Sequence, residues 1–150
     1  MSEVNELSPE ELKLTLDGNS VDWFLQKLVG IANTGSIEFG VTLYTQGSII
    51  SGLLVSGKKY FSTFGKQFAD AYPGDEESKE KMKVAFESNG DVYDREEDAE
   101  TPPPQFIHLL DARCFSDNGK PLPNNQGVAW RGKINAVSGF NLGQLNAEQT

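Results

Sequence analysis

The chain has 150 residues, enough for one domain to bury roughly 70% of its unfolded surface. Its single cysteine, Cys114, excludes an intramolecular disulfide and a cysteine metal cluster and fits a reducing compartment. Against 22 Asp and Glu stand 13 Lys and Arg, and the net charge of −9 disfavours nucleic acid and anionic membranes as partners.

Residues 1–18 read as a polar N-terminal arm, with a short helix signalled at Ser8-Pro9-Glu10-Glu11. The acidic, polar first 20 residues do not resemble a signal peptide. No apolar run approaches the ~20 residues of a membrane span, so a soluble cytoplasmic protein is expected. Residues 19–150 are expected to form one domain with an insert at about 58–105. Val21, Phe24, Leu25, Leu28, Ile31 and Ala32 recur at helical spacing, predicting a helix over about 20–33. Ser20 is its expected cap, with Asp22 in the first turn and Asn33 and Gly35 at its end.

The period then drops to two. Ile37, Phe39, Val41 and Leu43 alternate with Glu38, Gly40, Thr42 and Tyr44, predicting a strand with one buried face. Gln46-Gly47 signals a turn, and SIISGLLV reads as its antiparallel partner, with Gly52 marking a bend, bulge or close approach. Helical spacing returns at Phe61, Phe64, Phe68 and Tyr72, ends at Pro73-Gly74, and resumes as a charged helix over 75–88 with Met82, Ala85 and Phe86 on its apolar side. Residues 91–100 are dominated by acids and precede three prolines, so a mobile acidic loop leading into a polyproline stretch is expected.

FIHLLDARCF (106–115) is apolar on both faces, as suits a strand that is central or covered by a helix. A turn-rich loop follows. In the block VAWRGKINAVSGFNLGQL (128–145), Val128, Trp130, Gly132 and Ile134 alternate with Ala129, Arg131, Lys133 and Asn135, which is a strand. Val137, Phe140, Leu142 and Leu145 are expected to continue the sheet after a bend at Gly139. The sum is an α+β fold: an N-terminal helix on a strongly bent antiparallel sheet or a small Sm-like or SH3-like barrel, carrying a helical acidic insert.

Catalytic patterns are scarce. GLLVSGKK (52–59) fits a phosphate loop as far as Lys58, then carries Lys59 where a magnesium-binding Ser or Thr belongs. Its strand-forming Leu53, Leu54 and Val55 read instead as a strand leading through Ser-Gly into a helix. His108 and Cys114 share one predicted strand about 20 Å apart, too far to exchange a proton. His108 is therefore expected in the core or across a strand pair, and Cys114 as an inert thiol. The acidic loop does not fit the calcium pattern. No catalytic, cofactor or metal residues are assigned. Trp130, Arg131 and Lys133 are the candidate partner-binding residues, since Trp and Arg are favoured interface anchors, with the acidic loop as a further contact.

The order of helix, bent hairpin, insert, apolar strand and Arg-Gly strand resembles small Sm-like barrels. That analogy implies an alternative function, a nucleic-acid-binding adaptor forming a ring oligomer. SIEFGVTLYTQGSIISGLLVSGKKYF (36–61), FIHLLDAR (106–113) and above all VAWRGKINAVSGFNLGQL resemble the gas vesicle accessory protein GvpU family. The resemblance covers roughly half of the chain. It implies a small non-enzymatic cytoplasmic protein that assists gas vesicle formation or organisation. Its expected contacts are with gas vesicle shell or accessory proteins and with further copies of itself.

Overall fold

The computed structural model describes residues 6–94, 99–115, 120–123 and 126–145. Within them lie helices α1 (Pro9–Leu16), α2 (Trp23–Asn33), α3 (Gly57–Ala71) and α4 (Glu76–Glu87), and strands β1 (Phe39–Thr45), β2 (Ser48–Val55), β3 (Phe106–Phe115), β4 (Pro121–Leu122), β5 (Val128–Lys133) and β6 (Val137–Leu142). The six strands form one antiparallel sheet in the order β4-β3-β2-β1-β6, with β5 also paired to β3.

The sheet is curled because the chain compels it. β5 and β6 lie at opposite edges, four strand spacings apart, which is about 19 Å across a flat sheet. The link from Lys133 to Val137 spans at most about 14 Å. A short 3-10 helix (Ile134–Ala136) makes this crossing. Ile134 drops its side chain fully into the core, contributing about 1.5–3 kcal/mol, and its N–H donates to the Gln105 carbonyl at 2.9 Å. Among the described residues no ladder joins β5 to β6. The sheet is bent but open, and the closed Sm-like or SH3-like barrel expected as an alternative is not formed. The chain leaves strand geometry at Ile134, where a closing ladder would have to begin. For the same reason the bend lies at Ile134–Ala136, while Gly139 sits inside β6 opposite Tyr44.

Alternation assigns the two faces. The inner face carries Val41, Leu43, Ile50, Leu54, Ile107, Leu109 and Ala112, and α2 lays Leu25, Val29 and Ala32 against it. That helix is capped by Asp22, whose side chain accepts from the N–H groups of Phe24 and Leu25; Ser20 lies two residues too early. Gly35 ends it at φ +80°. The outer face is covered in two ways. Over β3 and β5 lies α3, whose Tyr60 and Phe61 rings rest against His108, while Phe64 and Phe68 meet Phe86 of α4. The aromatic stripe is therefore split between the sheet and a second, smaller helix contact, and Phe68 stays partly open to solvent.

Over β1 and β2 lies the chain's own tail. Thr42 and Ser51 are buried and bonded to each other, Thr42 Oγ1 donates to the Gly143 carbonyl, and the Leu145 N–H donates to Ser51 Oγ at 2.7 Å. Gly40 admits this strap, since a Cβ there would lie 3.0 Å from the Gln144 backbone nitrogen. Leu145 thus lies beyond the sheet and continues no strand.

Gly52 marks a close approach to a bulge in the neighbouring strand. Between the Ser51–Arg113 and Leu53–Leu110 pairs, Asp111 and Ala112 face Gly52 alone, and Asp111 takes the left-handed conformation at φ 51°. The acidic 91–100 segment departs from its expectation at its start. Ser88–Tyr93 is a 3-10 helix, held because the Tyr93 ring lies directly on Gly57 and edge-on to His108. Residues 95–98 lie outside the described residues.

Two helical glycines give opposite expectations. A Cβ on Gly57 would sit 2.2 Å from the Tyr93 ring, so Gly57→Ala should cost about 1–3 kcal/mol. Gly30, in the interior of α2, has nothing within 4 Å, so Gly30→Ala should stabilise by about 0.5–1 kcal/mol. Urea unfolding of both variants checks the pair, and equal effects would contradict the packing described.

Candidate functional site

The three residues singled out in the tail block do not share a face. Trp130 pairs with Leu109 on the inner side, packs on the core and lies along its own strand over Gly132, where a Cβ would meet the indole at 2.2 Å. That close approach explains the glycine of the Arg-Gly pair. Arg131 and Lys133 point to the outer face, at the sheet edge that β5 forms.

Arg131 is built into its position. It stands opposite His108, and its Nε–H donates to His108 Nε2 at 3.2 Å. Its guanidinium carbon lies 3.7 Å from the Phe106 ring centroid and 5.8 Å from that of Phe61. His108 itself has no exposed surface and sits among Tyr60, Phe61 and Tyr93. Because Nε2 accepts from Arg131, the neutral ring carries its proton on Nδ1, which is buried and without a partner among the described residues. Burial, and then the Arg131 charge, lower the His108 pKa from 6.5 to about 4. Burial likewise pushes the Tyr60 and Tyr93 phenols up, with Arg131 opposing.

The chemistry open to this arrangement follows from its partners. His108 faces a guanidinium rather than a carboxylate, so no acid orients it as a base. Cys114 lies further along β3, packed on the core and opposite Leu122, and the two do not meet. No group of three or more His, Cys, Asp or Glu among the described residues could hold a metal ion. No helix among them is long and apolar enough to cross a membrane. The phosphate-loop match is spent on structure: the Gly57 N–H donates to Asn33 Oδ1, the Lys59 N–H donates to Ser56 Oγ, and Lys58 and Lys59 pair with Asp94 and Glu38. An open groove of about 1250 Å³ runs between α2 and the proline segment, and Trp130, Arg131 and Lys133 take no part in its walls.

The family model for gas vesicle protein GvpU-like chains matches residues 22–145. This chain belongs to the GvpU-like family. The match begins at Asp22, the cap of α2, and ends at Leu145, the last bond of the tail strap. The GvpU-like unit therefore contains the curled sheet, its inner and outer helices and the strap, while α1 lies outside it. Family membership makes this a gas vesicle-related protein. No curated protein and no solved structure matches the chain.

His108 was expected in the core or across a strand pair, and it is both, but its task of holding Arg131 was not foreseen. The signal was present: in antiparallel FIHL and VAWRGK, the single histidine and the Arg both fall at outward positions. Phe106 shares that outward face by alternation, whereas Tyr60 and Tyr93 could be added only once the paths of α3 and of the 3-10 helix after α4 were known.

A buried neutral histidine makes stability depend on pH. The unfolded ring takes up a proton near pH 6.5 and the folded ring only near 4, so between these values the unfolded state binds more protons. Stability from this group is complete above pH 6.5 and falls by about 3 kcal/mol as the pH drops towards 4. His108→Gln should lose less stability than the wild type across that window. Parallel urea-derived curves for the two proteins would contradict the buried neutral state.

Proposed function

We propose that this chain is a non-enzymatic accessory protein that assists gas vesicle formation or organisation through protein–protein contacts. The single observation that carries the reading is the family match over residues 22–145. The site chemistry is compatible with it: the groups best placed for recognition are a fixed guanidinium and a neighbouring lysine at a strand edge. Gas vesicle shell or accessory proteins are the partners, with further copies of the chain as a second contact, and the protein works in the cytoplasm in association with gas vesicles. Arg131 and Lys133 form the contact face, and Trp130 supports it from the inner side.

The Sm-like nucleic-acid alternative receives no support from the open sheet, and the net charge of −9 opposes it. In a vesicle-forming host, deleting the gene should change vesicle number or clustering, and immobilised protein should retain shell or accessory proteins from a lysate of that host. Normal vesicles in the deletion strain together with an empty pull-down would refute the proposal.

A further inference from the structure

Arg131 carries more preparation than a surface charge needs. Its Nε is tied to a fully buried imidazole and its guanidinium carbon lies over the Phe106 ring, while the residue as a whole is exposed, so the terminal nitrogens form a braced fork within reach of a ligand. Among the described residues neither terminal nitrogen has an acceptor, although the chain carries 22 acidic residues. Lys58, Lys59, Lys79, Lys81, Lys83 and Arg113 all pair with carboxylates of the chain itself. Lys133, two residues along the same outward face of β5, has no such pair either, and Lys13, Lys27 and Lys66 share that lack, so it is the bracing by His108 and Phe106 that sets Arg131 apart. The edge of β5 away from β3 is unladdered, so an extended segment has access to both side chains.

We propose that Arg131, braced by His108 and Phe106, is the anchor of a docking face for a short acidic segment of a partner protein, one carboxylate of which seats in the guanidinium fork. A planar fork with its Nε already engaged presents two parallel N–H donors to a carboxylate. The Phe61 and Phe106 rings beside it favour a carboxylate flanked by apolar residues. Charge selects this occupant over a nucleic acid or an anionic bilayer. A chain of net charge −9 repels an extended polyanion, whereas one or two carboxylates need only the local field of Arg131 and Lys133. His108 is a positioning residue here, and protonating it would remove the lone pair that holds the Arg131 Nε.

The inference rests on the reading of the protein as one that works by protein contact. Its test contains no vesicle component, so the two stand or fall separately. A fluorescein-labelled peptide of alternating Glu and Leu is titrated with the full chain and followed by anisotropy, beside a matched Gln and Leu peptide and a single-stranded DNA oligonucleotide. The Glu peptide should bind and the other two should bind far more weakly. Arg131→Gln should weaken the Glu peptide about tenfold or more. Arg131→Lys, which keeps the charge and loses the fork, should weaken it nearly as much. Lys133→Gln should have a smaller effect, and thermal melts establish that each variant is folded. Equal binding of the Glu and Gln peptides, full affinity in Arg131→Lys, or tighter binding of the DNA would each overturn the proposal. So would an Arg131→Gln variant that dissociates a self-assembled form while the peptide binds neither protein, because the occupant would then be a second copy.

Discussion

The hydrogen bond from Arg131 to His108 is the interaction on which the outer half of the molecule is organised. A histidine with no exposed surface and no acid beside it stays neutral, and its bare Nε2 is then an acceptor that has to be satisfied. Arg131 supplies the donor from the neighbouring strand. In return the imidazole fixes the guanidinium against Phe106. Tyr60, Phe61 and Tyr93 close over the ring, so α3 and the 3-10 helix that follows α4 are both seated around this one side chain. The cost is an Nδ1–H with no partner among the described residues, which is of order 1–3 kcal/mol. A purely hydrophobic core position would avoid that cost but would leave Arg131 unbraced.

This geometry exists because the sheet is curled. The short crossing from β5 to β6 pulls the two edges of the sheet towards each other, giving an inner face that α2 fills and an outer face that needs separate cover. The cover divides by chemistry. Where the outer face is aromatic and apolar, α3 lies on it; where it is Thr42 and Ser51, the tail strap supplies backbone donors and acceptors instead. The GvpU-like match ends with that strap, so the strap belongs to the family unit and the arm carrying α1 does not. That arm leaves Leu12, Leu14 and Leu16 largely exposed and is tied down by the Trp23 Nε1–H donating to the Thr15 carbonyl.

Much of the fold was legible in the sequence because each element carries its own period. The switch from 3.6 to 2 at Ile37, the return at Phe61 and the two-faced apolar strand at Phe106 located α2, β1, α3 and β3. Gly52 also announced a close approach correctly. Three features were hidden because they depend on groups distant in sequence. The strap forms because Ser51 and Thr42 need partners that only residues 143–145 can bring. Tyr93 is ordered within an acidic, polar stretch because Gly57, far upstream, leaves room for its ring. Trp130 was singled out as a partner contact by residue type, and it is the register with Leu109 that places it on the inner side, half-buried against the core. Arg131 was singled out for its residue type alone; what makes it a braced fork is His108, and that required the pairing of β3 with β5.

Because the chain has one histidine, the central claim is open to a direct observation. Nitrogen-15 NMR of the folded protein near neutral pH resolves the two ring nitrogens of His108 and reports which one bears the proton. The expected result is a neutral ring with the proton on Nδ1, an unprotonated Nε2, and an Arg131 Nε–H protected from exchange with water. A ring protonated on Nε2, or an Arg131 Nε–H that exchanges as fast as those of freely solvated arginines, would contradict it.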